Sequence, residues 1–155
     1  MSAAFRFSLQ KVLDHRKESE AKSGAALAQA RGEAEEARKA HADLEAAREA
    51  GRSRLAEAHG SGGAVGHLQN LAYVLGQVEE QINDAEATCQ EADEHVVASL
   101  RSFHQALQER RRIEELRERK LGEWRTKAVR LEQKDMDEVA LIRHARAQFE
   151  TEGGK

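Results

Sequence analysis

Seven histidines, at positions 15, 41, 59, 67, 95, 104 and 144, and one cysteine, Cys89, are the residues of this 155-residue chain most suited to metal ligation or nucleophilic chemistry. Zinc ligation asks for closely spaced Cys and His pairs, and a reactive thiol asks for neighbouring positive charge. The histidines are scattered, and none makes a metal-ligand spacing with Cys89 or with another histidine. Cys89 lies among alanines and reads as a small apolar filler, and His41 reads as a packing residue whose tip reaches solvent. The glycine cluster Gly60-Ser61-Gly62-Gly63, with Gly66 beyond it, superficially suggests a phosphate-binding loop. Such a loop needs a preceding strand and a following Lys-Ser/Thr, and both are missing, so the cluster reads as a flexible turn. No set of catalytic groups converges. The expectation is a protein that is not an enzyme and carries no metal and no cofactor.

The elements that would position any site are long helices. The chain contains no proline, which would break a helix by removing a backbone donor, and its only internal glycine cluster separates two stretches of helix-period sequence. Charged residues make up 34% and aromatics 4%, and much of the 39% hydrophobic share is alanine, the composition of long helices and coiled coils. These features predict an all-α fold: a long antiparallel two-helix coiled-coil hairpin with a longer second helix. The expected bounds are a helix over 5–58, a turn over 59–65, a helix over 66–150 and a disordered tail over 151–155, all in a single domain.

In the first helix, alternating steps of four and three place Leu9, Leu13, Arg16, Glu20, Ser23, Leu27, Ala30, Ala34, Ala37, His41, Leu44, Arg48, Gly51 and Leu55 on one stripe. In the second, Leu68, Leu71, Leu75, Val78, Ile82, Ala85, Cys89, Ala92 and Val96 keep that spacing, and a further four-residue step to Leu100, Phe103 and Leu107 predicts a stutter. A reversal near 60–63 sets positions whose numbers sum to about 123 opposite each other, pairing Leu27 with Val96 and Ala30, Ala34 and Ala37 with Ala92, Cys89 and Ala85. The second helix then overhangs the first beyond about residue 120 at a rise of 1.5 Å per residue. Along that overhang an apolar stripe of Leu121, Trp124, Ala128, Leu131, Val139, Ile142, Ala145 and Phe149 is left without an internal partner, the usual mark of an interaction site.

Charge narrows the partners. The net charge of −3 and pI of about 6.2 argue against nucleic acid, whose phosphates need a clustered Lys/Arg excess. The one basic stretch, Arg110 to Arg130, is interleaved with Glu114, Glu115, Glu118 and Glu123, and reads either as a solvated face or as a docking surface for an acidic partner. No apolar leader follows Met1, and no run approaches the ~20 apolar residues that span a bilayer, so the expected location is cytoplasmic, without direct membrane insertion.

Both ends carry recognisable residues. The opening Phe5-Arg6-Phe7-Ser8-Leu9-Gln10-Lys11-Val12-Leu13-Asp14-His15-Arg16 resembles the start of the flagellar export protein FliJ family. Glu132-Gln133-Lys134-Asp135-Met136-Asp137-Glu138 is similar to that family's C-terminal motif. The resemblance implies a noncatalytic component of the flagellar type III protein export apparatus, serving motility and attached peripherally to the inner face of the cell membrane. It implies a stalk-like coiled coil that binds and promotes the hexameric export ATPase, couples it to the membrane export gate and assists export chaperones. By position, it assigns ATPase binding to Leu9, Arg16, Gln133, Asp137 and Glu138, and export-gate binding to Leu71, Val74, Val78 and Ile82. The exposed partner stripe is carried by Trp124, Leu131, Ile142 and Phe149. The alternative is a generic coiled-coil scaffold or chaperone adaptor of a virulence-type secretion system.

Overall fold

Two α-helices form the fold of the computed structural model, which describes residues 4–152. Helix α1 runs Gln10–Gly60 and helix α2 runs Val65–Glu152, and no strand occurs among the described residues. The fold is all-α and hairpin-like, with the longer helix second. Helix α1 begins five residues later than expected, because residues 4–7 are non-helical and Ser8 and Leu9 form a turn. Of the expected disordered tail, Thr151 and Glu152 are helical, and 153–155 lie outside the described residues.

The chain divides into two compact units: residues 18–107, and residues 1–17 together with 108–155. The 18–107 unit is an antiparallel hairpin closed at Ser61–Ala64. The end of α1 is a Schellman motif. Gly62 takes the left-handed conformation at φ 73°, its N–H donates to the His59 carbonyl at 3.4 Å, and the Gly63 N–H donates to the Ala58 carbonyl at 2.9 Å. A side chain on Gly62 would be strained by that angle, and one on Gly63 would meet the Ala58 carbonyl oxygen at 2.9 Å. Helix α2 starts on the Ala64 carbonyl, which accepts from His67 and Leu68.

The seam of this unit follows the heptad stripe. Leu27, Ala30, Ala34 and Ile82 are buried, and Ser23, Ala37, His41, Leu44, Arg48, Gly51 and Leu55 are half-buried. Its rims are tied by Arg38–Asp93 at 2.5 Å, Arg52–Glu79 at 3.1 Å and His95–Glu33 at 3.7 Å, exposed pairs that contribute at most about 1 kcal/mol each.

One expectation fails here. The stutter after Val96 does not occur: Ser99 and Ala106 are buried while Leu100 and Leu107 are half-buried, so the three-four alternation continues through Ser99, Phe103 and Ala106. Small side chains suit the closely spaced seam, and the larger leucines sit at its edge. The cross-helix contacts agree with the expected pairing: Leu55 and Leu68 line one groove, and Ser23 and Ser99 another. A Cβ on Gly24 would touch the Phe103 ring at 3.5 Å and one on Gly51 would meet Leu75 Cδ2 at 2.7 Å, because these long side chains lean toward the start of α2, over the level of residues 99 and 72.

Gly51 is therefore a close-packing position, whereas a Cβ on Gly76 would meet nothing within 4 Å. Gly76→Ala is expected to raise stability by about 0.5–1 kcal/mol through helix propensity, and Gly51→Ala to gain less or lose stability against Leu75. Paired urea titrations followed by circular dichroism read the difference.

Candidate functional site

The unit formed by 1–17 and 108–155 holds both chain ends. Its N-terminal arm alternates, with Phe5, Phe7 and Leu9 half-buried and Ala4, Arg6 and Ser8 exposed, the two-residue period of an extended segment laid on a surface. The Gln10 N–H donates to the Phe7 carbonyl at 3.1 Å, the Leu13 N–H donates to the Leu9 carbonyl at 2.9 Å, and Leu13 is only 2% exposed. The arm lies against α2. The Phe5 and Trp124 rings sit 6.1 Å apart at 57°, an attractive tilted arrangement. A shallow groove of about 260 Å³ runs between Phe5, Arg6, Phe7 and Ser8 on one side and Lys120, Glu123, Trp124 and Lys127 on the other. The Lys120 ammonium, donating to Glu123 at 3.0 Å, holds the Glu123 carboxyl below its usual range, with Lys127 and Arg119 adding to the effect.

This arm corrects the reading of the overhang. Leu121, Trp124 and Ala128 are half-buried, so Trp124 does not belong to the exposed stripe; the aromatic–basic alternation of Phe5-Arg6-Phe7 was the signal for an extended covering segment and not for a first helical turn. Removing the phenyl ring in Phe5→Ala is expected to uncover the indole. The expected readout is a red shift and stronger quenching of the sole tryptophan's emission, with a loss of about 1 kcal/mol for the ring pair.

Beyond Ala128 every side chain through Phe149 is exposed. Leu131, Ile142 and Phe149 of the expected stripe are 61%, 60% and 78% exposed, joined by Val129, Met136, Val139 and Leu141. Gln133, Asp137 and Glu138 are exposed on the same helix. Leu9 and Arg16 differ: both are half-buried, and Arg16 Nη1 donates to Glu109 Oε2 at 2.5 Å while Lys17 pairs with Glu114 at 3.9 Å. The basic stretch is partly neutralised within the helix, with Arg110 bonded to Glu114.

The four residues expected at the gate contact do not form one face. Leu71 and Val78 are half-buried and Ile82 is 6% exposed, because all three lie on the heptad stripe. Val74, off that stripe, is exposed together with Tyr73. Near the turn, Leu55, Ala56, His59, Val65, Leu68 and Ala72 line an apolar groove of about 530 Å³.

Among the described residues, no group of three or more His, Cys, Asp or Glu is placed to hold a metal ion, and no helix is long and apolar enough to cross a membrane. What the second half of α2 presents is a set of exposed helix faces.

The family model described as the flagellar FliJ protein matches residues 5–149. The chain belongs to the FliJ family. As a FliJ-family protein it is a component of flagellar, type III protein export. Comparison with the curated proteins gives no match. Among solved structures, the chain is similar to a YscO homologue from Chlamydia trachomatis at 21% identity, with a TM-score of 0.47 over 94% of this chain and 98% of that one.

Proposed function

We propose that this FliJ-family protein is a noncatalytic stalk that binds the hexameric flagellar export ATPase, promotes its activity, couples it to the membrane export gate and assists export chaperones. In this reading it works in the cytoplasm and reaches the membrane's inner face through those partners. The observation that carries the reading is the family match across residues 5–149, from the arm to the last exposed turns of α2. Exposed Gln133, Asp137 and Glu138 are the direct ATPase contacts in this scheme. Leu9 and half-buried Arg16, bonded to Glu109, keep the two helix ends together and so hold that surface in place. Gate contact falls to exposed Tyr73 and Val74 and the apolar groove by the turn, and not to Ile82, which is used inside the hairpin.

The test is steady-state hydrolysis by the cognate export ATPase with and without the purified chain. Stimulation by the parent and at least a tenfold weaker effect of the triple variant Gln133→Ala, Asp137→Ala, Glu138→Ala, at unchanged helix content, is expected. Each removed polar contact contributes about 0.5–1.5 kcal/mol, and three together exceed one decade. Chaperone capture without ATPase binding or stimulation would replace the stalk by an adaptor.

A further inference from the structure

The last exposed turns of α2 carry a charge pattern that is symmetric about one residue. Around Val139, Asp135 stands four positions before and Arg143 four positions after; Glu132 stands seven before and Arg146 seven after; Met136 and Ile142 stand three to either side. Steps of three, four and seven fall on one face of an α-helix, so these side chains share a single face whose centre is Val139. All of them are exposed. That face is apolar at its middle, acidic toward the start of the segment and basic toward its end, with Leu131 and Phe149 along its border.

The two charged patches do not reach each other within one chain. Asp135 and Arg143 are eight residues apart, about 12 Å along the axis at 1.5 Å per residue, and Glu132 and Arg146 are farther still. No ion pair is formed by any of the four among the described residues. A second copy laid antiparallel with its Val139 against the first brings Asp135 opposite Arg143 and Glu132 opposite Arg146, twice over, and packs Met136 against Ile142 around the axis. A parallel copy would set acid against acid and base against base. Charge therefore selects both the occupant and its direction, as e and g charges do in coiled coils.

We propose that residues 131–149 of α2 form a self-complementary face on which two copies of this chain pair antiparallel about Val139, a two-fold contact in which each surface meets its own image. This goes beyond the export reading. Asp137 lies on the opposite side of the helix from Val139, and Gln133 and Glu138 lie on its flanks at about 120° and 100°, outside the paired face, whereas Leu131, Ile142 and Phe149 become covered. The contact is a short one between two single helices, so association is reversible and dependent on concentration and salt.

Sedimentation equilibrium of the full chain alone, without any export component, is the deciding measurement. The weight-average mass is expected to rise from 17.3 kDa toward twice that value with concentration, and less so at high salt. Two charge-reversed variants, Glu132→Lys with Asp135→Lys and Arg143→Glu with Arg146→Glu, are each expected to stay monomeric. Their equimolar mixture is expected to associate again, since each patch then meets its opposite. Val139→Glu is expected to abolish association, and Leu141→Glu on the far side to leave it unchanged. Circular dichroism on every variant checks that the helix is intact. A parent mass constant across concentration, reversed variants that associate like the parent, or a mixture that stays monomeric each overturns the proposal. All three outcomes are independent of ATPase stimulation.

Discussion

Leu13→Ala is expected to destabilise the chain by about 2–4 kcal/mol, the lost transfer of a buried side chain plus the cavity it leaves. Leu13 is the bulkiest completely buried side chain among the described residues, at 2% exposure, and it sits in the first turn of α1 directly after the arm. Its neighbours on the stripe, Leu9 and Arg16, are half-buried and leave little else to hold this end. Against a total of about 5–15 kcal/mol for a domain, that loss is a large fraction. The measurement is urea denaturation followed by far-ultraviolet circular dichroism, with tryptophan emission in parallel. The Phe7 and Leu9 carbonyls accept backbone hydrogen bonds from Gln10 and Leu13 and thereby join the arm to the start of α1, so the indole of Trp124 should become wetter before the helices melt. Val12→Ala is the control: Val12 is exposed, and its truncation should cost under about 1 kcal/mol.

Ala30→Leu is expected to destabilise by about 1–3 kcal/mol although it adds hydrophobic surface, because extra methylenes forced into a packed site drive side chains off their rotamers and helices apart. Ala30 is 0% exposed and Ala34, one turn on, is 2% exposed, so this part of the 18–107 hairpin is built on small side chains in close contact. The midpoint of thermal unfolding should fall. Ala28→Leu, at an exposed position on the same helix, should leave it within about 0.5 kcal/mol of the parent. An unchanged or raised midpoint for Ala30→Leu would show that the small-residue seam has slack.

Both predictions depend on which links between sequence and packing were legible. Each position of the expected α1 stripe from Leu13 to Leu55 is buried or half-buried, because a seven-residue repeat is a property of the chain that any straight pairing must respect. The resemblance of the two ends to the FliJ family was likewise readable and agrees with the match over 5–149. Less legible was the choice of Ser99 and Ala106 over Leu100 and Leu107, since a ranking by hydrophobicity favours the leucines while a narrow seam favours size. The fate of Trp124 was hidden for another reason: its cover comes from Phe5, more than a hundred residues earlier, on a segment that is not helical.

By itself the sequence determined two helices, the turn between them and the stripe they bury, because helix period, missing proline and clustered glycine act locally. Tertiary structure alone decided which side chains fill the seam beyond Val96 and which apolar residues stay free. The cover of Trp124 leaves no trace in the local pattern, because Phe5 docks on it from a segment more than a hundred residues away.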